Sequence, residues 1–509
     1  MSKKKVIFKL MLLLVLSIAA VNSLAVTANA ALIRNTGTIT VNGVEKGTTV
    51  TAYLLMTENF DYSVQQPETP RYLWREELGS WIADNYPAYI DAENMYAVTE
   101  VFSEASDAQI AEFYDKLSVA IKKEILTPAN MPILAETESV LFDPVITGNY
   151  LILVENGMRV YRPLTANVFH EWKDYHWEVV SPVVEAKSSE PTVTKTVTNT
   201  LEKDHFSILD TISYTVNAVI PTYPENAIAK QFVVSDRLPE GLTLSSDSIK
   251  VYGVNAGEDP VLLNDSYTKK SVRPTGEEGE NSVTFSLNFD YAKIADYSSL
   301  KIIYDAILNK NAEIGGEGNE NKVYMDYNNN PYIEGSWKSD DDSATVYTYG
   351  LTIVKVDEDT SEPLEGASFW LYKDEKRLEF VNENGIYYVA NEKDSDCMVV
   401  ESDAQGMIYI HGLDAGTYRI LEEEAPDEYV KLQKPVDFVI ADEDFDGKVE
   451  AGGKELEDGM MTVTVKNSKG FTLPVTGGAG TILFSMFGIL MMGAGLLLIL
   501  TVFRKNERK

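Results

Sequence analysis

The sequence predicts an all-β protein made of tandem immunoglobulin-like β-sandwich domains, with a helical insertion in the N-terminal domain. Short segments that alternate apolar and polar residues recur along the chain, separated by turns rich in Gly, Asn and Pro, and this pattern is typical of β-sandwiches. The 509 residues are too many for one hydrophobic core, so we expect several domains. A composition with 44% hydrophobic and 24% charged residues is that of ordinary folded protein.

Residues 1–30 have the pattern of a secretory signal peptide. Lysines precede an apolar stretch, and Ala28 and Ala30 supply the small residues of a cleavage site. We therefore expect an exported chain that begins near Ala31. Exported proteins can use disulfides, but the single cysteine, Cys397, cannot form one within the chain.

The N-terminal domain is predicted at residues 31–182. It opens with "TGTITVNGVEKGTTVTAYLL", two alternating strands around an Asn-Gly turn. Further on, "SDAQIAEFYDKLSVAIKKEI" predicts a helix, because Ile110, Phe113, Leu117 and Ile121 recur at helical spacing. We expect this helix to pack on the edge of a sheet.

Two further β domains follow. A polar segment, "VVEAKSSEPTVTK", which we predict to be a loop, leads into a central domain at 183–347. A shorter C-terminal domain of the same kind is predicted at 348–470. In both, many short strands and frequent turns favour a sandwich.

Residues 471–509 contain three parts in order. The pentapeptide Leu473-Pro474-Val475-Thr476-Gly477 comes first, and an apolar run at 481–503 and the basic tail "RKNERK" follow. The run is long enough to span a bilayer, and the basic residues favour a cytoplasmic end. We expect membrane anchoring through this run.

Several functional classes are disfavoured. A net charge of −34 makes nucleic acid and anionic membrane surfaces poor partners. The four histidines lie far apart without metal-ligand spacing, and no hydrolase, zinc-protease, P-loop or dinucleotide motif appears. We predict no cofactor and no metal, and a surface enzyme is the weaker alternative.

One acidic stretch partly matches a calcium loop. Asp442, Asp444 and Asp446 occupy the first positions of an EF-hand-like pattern, but Gly453 stands where a bidentate Glu is needed. An acidic turn between strands is the preferred interpretation, and calcium binding is the alternative.

The C-terminal domain carries a multi-part motif. "LTIVKVDEDTSEPLEGASFWLY" opens it, "GLDAGTYRILEEEAP" follows, and "MTVTVKNSKG" closes it. These segments closely resemble the Cna-B-type domains of sortase-assembled pilins and surface proteins of Gram-positive bacteria. The resemblance implies an intramolecular isopeptide bond in which Lys355 is the nucleophile, Asn467 the acceptor amide and Glu422 the catalytic acid. Glu423 and Glu424 are adjacent alternatives for the acid.

The chemistry of such a bond can be argued from the residue types. Burial between apolar sheets disfavours the charged form of lysine and lowers its pKa, while it raises the pKa of a neighbouring carboxylic acid. The neutral amine can then attack the amide carbonyl, the acid polarises that carbonyl and relays protons, and ammonia leaves. Fixed geometry supplies most of the acceleration.

The central domain shows a related arrangement. Lys195 lies in "TVTKTV", Asp236 in "VVSDRLPEGL" and Asn321 at the start of "NKVYMDYNNNP". This resembles the central domain of the same major pilins and implies a second bond, Lys195 to Asn321, with Asp236 as the acid. Asn319 is a competing acceptor. The N-terminal domain lacks both the lysine and the acid of this pattern, so we predict no isopeptide bond there.

Lys187 lies in "SPVVEAKSSEP", after the aromatic segment "HEWKDYHWEVV". Major pilins carry their polymerising lysine in such a context, which implies that the Lys187 amine attacks the sortase-bound Thr476 of another subunit. The three-part C-terminus is similar to a sorting signal in which sortase recognises Leu473, Pro474, Thr476 and Gly477 and cleaves between Thr476 and Gly477.

The resemblance therefore implies the shaft subunit of a sortase-polymerised pilus that is covalently anchored to the cell wall and supports adhesion. The expected partners are sortase, other copies of the chain, tip and base pilins, and peptidoglycan, while the host ligand stays open. The alternative is a monomeric adhesin that uses the sorting signal only once, for cell-wall anchoring.

Overall fold

A computed structural model describes residues 35–94, 96–198, 204–275, 282–391, 396–442, 446–451, 454–456, 458–470 and 479–506. The chain divides into two compact units. One comprises Met1–Lys203, Thr211–Ile307 and Asn319–Thr345, and the other comprises Asp204–Asp210, Leu308–Gly318 and Val346–Lys509. The predicted signal peptide and the pentapeptide Leu473–Gly477 lie outside the described residues.

The N-terminal part of the first unit contains two main sheets. A three-stranded sheet has the order β13-β1-β7, and a seven-stranded sheet has the order β10-β8-β2-β3-β5-β4 with β6 paired to β2. Two short strand pairs, β11-β12 and β14-β9, complete this part of the unit. The strands are β1 (Thr36–Asn42), β2 (Thr49–Asp61), β3 (Gln66–Trp74), β4 (Ile90–Asp91), β5 (Ala97–Val98), β6 (Ile133–Leu134), β7 (Ser139–Ile146), β8 (Gly148–Glu155), β9 (Val160–Tyr161), β10 (Leu164–Val168), β11 (His170–Lys173), β12 (His176–Val179), β13 (Val183–Glu185) and β14 (Ser188–Ser189).

Helices cover one face of the larger sheet. They are α1 (Glu76–Asn85), α2 (Glu100–Ser103) and α3 (Asp107–Ile121), with a 3-10 turn at Pro87–Tyr89. β2 and β8 are nearly continuous runs of buried residues, because one face of these strands packs on the smaller sheet and the other on the helices. Ser106 caps α3 in a capping box with Gln109. The expected packing on a sheet edge is wrong, since Phe113 and Leu117 pack on this face.

The central part of the first unit is a sandwich of two sheets. One has the order β15-β16-β23-β19-β20 with β18 on β23, and the other has the order β21-β22-β17-β24-β25. 3-10 turns lie at Ser246–Ser248 and Tyr291–Lys293. The strands are β15 (Val193–Val197), β16 (Thr211–Val219), β17 (Phe232–Arg237), β18 (Leu242–Leu244), β19 (Lys250–Val254), β20 (Val261–Leu262), β21 (Tyr267–Val272), β22 (Ser282–Phe289), β23 (Ser299–Leu308), β24 (Asn319–Asn328) and β25 (Trp337–Val346).

The second unit contains another sandwich, with sheets β29-β30-β32-β26-β37 and β28-β27-β33-β34, and β31 on β27. Its first and last strands, β26 and β37, are parallel neighbours. A small β35-β36 pair completes it. The strands are β26 (Tyr349–Asp357), β27 (Ser368–Lys373), β28 (Lys376–Arg377), β29 (Glu379–Glu383), β30 (Ile386–Ala390), β31 (Val400–Glu401), β32 (Met407–Leu413), β33 (Gly416–Glu424), β34 (Val436–Ile440), β35 (Val449–Ala451), β36 (Lys454–Leu456) and β37 (Met460–Asn467).

A final helix, α4, covers Ala479–Asn506. Within the described part of the chain, no helix combines the length and the hydrophobicity needed to cross a membrane. The run at 481–503 includes residues whose side chains lie outside the described part, so its membrane anchoring stays a prediction.

Candidate functional site

Three polar residues meet inside the central sandwich. Lys195 lies in β15 of one sheet, whereas Asp236 in β17 and Asn321 in β24 belong to the other. Because β17 and β24 are antiparallel neighbours in register, Asp236 and Asn321 share one face. Lys195 is 4% exposed, and Asp236 and Asn321 are fully buried. The fold thus brings an amine, an acid and an amide together between two sheets.

The distances in this cluster are short. The Lys195 Nζ donates to Asp236 Oδ2 at 2.6 Å and to the carbonyl oxygen of Asn321, Oδ1, at 2.8 Å. The lysine nitrogen therefore lies beside the carbonyl group that a nucleophile would attack. Holding the two reacting groups in contact in this way accelerates an intramolecular reaction.

Burial acts on both ionisable partners in the direction that this chemistry requires. Desolvation lowers the pKa of Lys195, although the Asp236 charge opposes that shift. Desolvation raises the pKa of Asp236 against the attraction of Lys195. Both shifts favour the uncharged pair, a free amine beside a protonated acid, because a low-dielectric interior disfavours charge.

A fourth residue, Tyr304 in β23, completes the cluster, and the sequence analysis missed it. Its hydroxyl accepts from Lys195 Nζ at 2.7 Å and from Asn321 Nδ2 at 2.8 Å, and donates to Asp236 Oδ2 at 2.9 Å. In "SLKIIYDAIL" every second residue is buried. This alternation could have indicated a polar cluster, because it places the Tyr304 hydroxyl at an inward position of an apolar strand, and a buried tyrosine hydroxyl needs a hydrogen-bond partner.

Acidic residues of β25 hold the strand that carries the lysine. The backbone N–H of Val193 donates to Asp340 Oδ2 at 2.8 Å, and that of Lys195 donates to Asp342 Oδ2 at 2.7 Å. Side-chain carboxylates thus satisfy backbone donors of β15 that its pairing with β16 leaves free. Asp342 therefore fixes the backbone at the lysine itself.

The C-terminal sandwich assembles the same groups differently. Lys355 lies in β26 and Asn467 in the adjacent parallel strand β37, where Asn467 is opposite Asp357. Residues 355 and 357 face the same way, so Lys355 and Asn467 share a face. Glu422 comes from β33 of the other sheet. All three are at most 1% exposed.

Hydrogen bonding in the C-terminal cluster is incomplete. The Asn467 Nδ2 donates to Glu422 Oε2 at 3.0 Å and to the Val430 carbonyl at 2.9 Å. Lys355 Nζ, Glu422 Oε1 and Asn467 Oδ1 have no hydrogen-bond partner among the described residues. Buried polar atoms are normally satisfied, so three such atoms in one cluster are unusual.

The amine of this second cluster is easier to deprotonate than an ordinary lysine. Burial lowers the pKa of Lys355 to about 8, although the charges of Glu422 and Asp357 oppose the shift. With this pKa, roughly one-tenth of Lys355 is uncharged at pH 7, far more than of an ordinary lysine.

The alternative residues that the sequence left open lie in different surroundings. Lys195 Nζ donates to Asn321 Oδ1 at 2.8 Å, and Asn319, two residues earlier in β24, is also buried. In the run of three glutamates only Glu422 points into the core, because Glu423 and Glu424 are exposed.

Lys187 is exposed. The backbone around it is held by the N-terminal domain, since β13 pairs with β1, β14 pairs with β9, and the Lys187 carbonyl accepts from the Arg162 N–H at 3.0 Å. The expectation of a loop is therefore wrong for Val183–Glu185 and Ser188–Ser189, which are short strands. The fold presents an accessible amine on a backbone that is fixed on both sides.

The acidic stretch uses its first carboxylate for local structure. Asp442 Oδ2 accepts from the Tyr349 hydroxyl at 2.6 Å and from the Gly447 N–H at 2.9 Å. Asp444 lies outside the described residues. The bond to Gly447 is local, whereas the bond to Tyr349 ties the stretch to β26.

Three segments of the chain match known protein families. Residues 208–331 match the family described as Gram-positive pilin backbone subunit 2, Cna-B-like domain. Residues 350–455 match a prealbumin-like fold domain, and 465–509 match the LPXTG cell wall anchor motif.

Individual relatives agree with these matches. The trypsin-resistant surface T6 protein of Streptococcus pyogenes serotype M6 is 30% identical over 264 residues, which cover 48% of this chain and 44% of that protein. The chain thus spans less than half the length of this relative. In fold, it is similar to the T6 backbone pilin of the same serotype, with a TM-score of 0.61 and 19% identity over 86% of this chain and 98% of that chain. The full-length major pilin SpaD from Corynebacterium diphtheriae gives a TM-score of 0.50 and 16% identity, over 86% and 98%.

In these segments the chain is therefore similar to a Cna-B-like pilin backbone domain and to an LPXTG cell wall anchor motif of Gram-positive bacteria. Residues 208–331 carry the similarity to pilin backbone subunits, and about half of the chain is 30% identical to the T6 surface protein. The predicted fold class, modular β domains, is confirmed, and the anchor motif indicates a cell-wall-anchored surface protein.

Proposed function

We propose that this chain is the shaft subunit of a covalent pilus and that two internal Lys–Asn isopeptide bonds stabilise it. The observation that carries the proposal is the buried cluster in which Lys195 Nζ lies 2.6 Å from Asp236 Oδ2 and 2.8 Å from Asn321 Oδ1. A lysine that only made the protein soluble would lie at the surface, because burial of a lysine with an acid in the interior costs desolvation free energy.

In the C-terminal domain the corresponding reaction joins Lys355 to Asn467. The lowered pKa of Lys355 supplies free amine, which attacks the Asn467 side-chain carbonyl carbon. Glu422 Oε2, at 3.0 Å from Asn467 Nδ2, is in position to protonate the leaving nitrogen. The Nζ–Cγ bond forms as the Cγ–Nδ2 bond breaks, Nζ loses one proton and Nδ2 gains one, and ammonia departs, so that no net proton is consumed.

Such bonds would stabilise a protein that has no internal disulfide. The Lys195–Asn321 link would close a loop of 126 residues, and the Lys355–Asn467 link one of similar size. By analogy with disulfides, closure of a loop of this length lowers the entropy of the unfolded chain by an equivalent of about 4–5 kcal/mol.

Polymerisation joins copies end to end. Sortase cleaves between Thr476 and Gly477 and transfers the Thr476 carbonyl to an amine, which is Lys187 of a neighbouring copy along the shaft and peptidoglycan at the base. Tip and base pilins would cap the fibre. The exposure of Lys187 on a fixed backbone supports this role.

Intact-mass measurement of the chain tests the internal bonds. The expected product lacks two molecules of ammonia, and Lys195→Ala and Lys355→Ala should each restore one of them. Asn321→Ala should also remove the central bond, whereas Asn319→Ala should leave it in place. A wild-type mass without any ammonia loss contradicts both bonds.

Immunoblots of cell-wall extracts test polymerisation. The wild type should give a ladder of high-mass species that Lys187→Ala reduces to monomer, while Lys46→Ala, another exposed lysine of the N-terminal domain, leaves the ladder unchanged. A single band in the wild type indicates the alternative, a monomeric anchored adhesin.

A further inference from the structure

In the central cluster the Tyr304 hydroxyl lies between the nitrogen that would form the new bond and the nitrogen that would leave as ammonia. Tyr304 Oη lies 2.7 Å from Lys195 Nζ, the attacking nitrogen, and 2.8 Å from Asn321 Nδ2, the leaving nitrogen. We propose that Tyr304 is a catalytic residue of central bond formation, which passes the proton from Asp236 to the leaving nitrogen. This inference deepens the proposed function and rests on it.

The hydrogen bonds form one continuous path. Lys195 Nζ contacts Asp236 Oδ2 at 2.6 Å, the same oxygen accepts from Tyr304 at 2.9 Å, and Tyr304 contacts Asn321 Nδ2. In the described structure no hydrogen bond joins Asp236 directly to Asn321, and Asp236 Oδ1 has no partner. The acid therefore reaches the leaving group only through the tyrosine.

The step balances without any further reactant. Lys195 first gives one proton to Asp236, which leaves a free amine and a carboxylic acid. Nζ then bonds to Cγ of Asn321 and loses a second proton to Asp236. In the same movement Asp236 protonates Tyr304, and Tyr304 gives its own proton to Nδ2 as the Cγ–Nδ2 bond breaks. Ammonia leaves, and the acid and the phenol end protonated.

The environment of Tyr304 suits a relay. Burial raises the pKa of its hydroxyl well above the ordinary value, and the nearby Asp236 charge adds to the shift. The phenol therefore stays protonated, and it can donate one proton only while it accepts another. A free phenolate is not needed at any stage.

The C-terminal cluster provides an internal comparison. There Glu422 Oε2 contacts Asn467 Nδ2 directly at 3.0 Å. The acid can protonate that leaving group without an intermediary. Removal of the Tyr304 hydroxyl should accordingly affect one bond of the chain and spare the other.

The test follows both bonds in one molecule. The unreacted mature chain is diluted from denaturant, samples are quenched over time, and intact and peptide masses report each ammonia loss. In Tyr304→Phe the central bond should form at least about 100-fold more slowly, because a proton-transfer group usually contributes a factor of that size. The C-terminal bond should form at its wild-type rate. Tyr327→Phe is the control, because Tyr327 is buried in β24 of the same sandwich but its hydroxyl donates to the Met158 carbonyl at 2.6 Å, outside the cluster.

Incorporation of 3,5-difluorotyrosine at position 304 separates proton transfer from packing. This residue keeps the ring and the hydroxyl but makes the hydroxyl more acidic, so the rate of central bond formation should change. An unchanged rate, or wild-type kinetics in Tyr304→Phe, overturns the role of Tyr304. A wild-type chain that lacks the central bond altogether contradicts the proposed function instead.

Discussion

The two sandwiches place the same three chemical groups on different strands. In the central domain the lysine belongs to one sheet, and the acid and the asparagine belong to the other. In the C-terminal domain the lysine and the asparagine are on neighbouring parallel strands of one sheet, and the acid comes from the opposite sheet. A central bond would therefore tie two sheets together, whereas a C-terminal bond would tie the first strand to the last. The reaction depends on contact between the groups, and more than one topology can provide it.

The clusters also differ in how the amine is held. Lys195 Nζ has three hydrogen-bond partners, while Lys355 Nζ has none among the described residues. Lys195 can transfer its proton within the cluster, but Lys355 has to lose its proton by another route.

Removal of either acid should abolish one bond and leave the other intact. In Glu422→Gln only the central bond should form, and in Asp236→Asn only the C-terminal bond. The affected domain should lose about 4–5 kcal/mol in free energy of unfolding, because its unfolded chain regains the entropy of an open loop. Intact mass and denaturant unfolding measure the two effects. Formation of both bonds in either variant shows that the acid is dispensable.

The pH dependence of bond formation should separate the two sites. The pKa of Lys355 is about 8, so below that pH the fraction of free amine, and with it the C-terminal rate, should fall about tenfold per pH unit. Above it the rate should level off. The central rate should be nearly constant, because the proton moves from Lys195 to Asp236 inside the core. Timed mass spectra during refolding at a series of pH values measure both rates. Parallel profiles for the two bonds contradict this distinction.

The carboxylate that fixes β15 should matter for the central bond alone. Asp342→Ala leaves the Lys195 N–H without its acceptor, which should lower the stability of the domain by about 1–3 kcal/mol and slow the central bond. Asp341→Ala is the control, since Asp341 is 49% exposed and pairs with Lys322 at the surface. Thermal unfolding and mass kinetics compare the two variants. Equal effects of the two substitutions on stability and on the central bond would show that Asp342 has no special role.

The smallest effect is expected next to Glu422. Glu423 is exposed on the other face of β33, so Glu423→Ala should leave both bonds in place and change the stability by no more than about 0.5 kcal/mol. Intact mass and denaturant unfolding check this. Loss of the C-terminal bond in this variant would mean that the neighbouring position supplies the acid.

Motif order along the sequence selected Lys195, Asp236 and Asn321, and the fold brings them within hydrogen-bond distance. Tyr304 and Asp342 were not predicted, because their roles depend on contacts between strands far apart in sequence. Hydrophobic spacing indicated the helix at Asp107–Ile121 but could not tell a sheet face from an edge. The polar composition around Lys187 suggested a loop, although backbone pairing with β1 and β9 makes short strands there.

The position of Lys187 determines which parts of a subunit would bear load in a fibre. Tension would enter at Lys187, pass through β15 to the Lys195–Asn321 link, and leave through the Lys355–Asn467 link toward Thr476. Residues before Lys187 lie outside this covalent path, so the N-terminal domain would need no cross-link. Without the central link, unfolding of the chain from Lys195 to Asn321, a sequence separation of 126, would lengthen each subunit by roughly 400 Å at about 3.3 Å per residue. With both links the fibre would have a nearly fixed length under load.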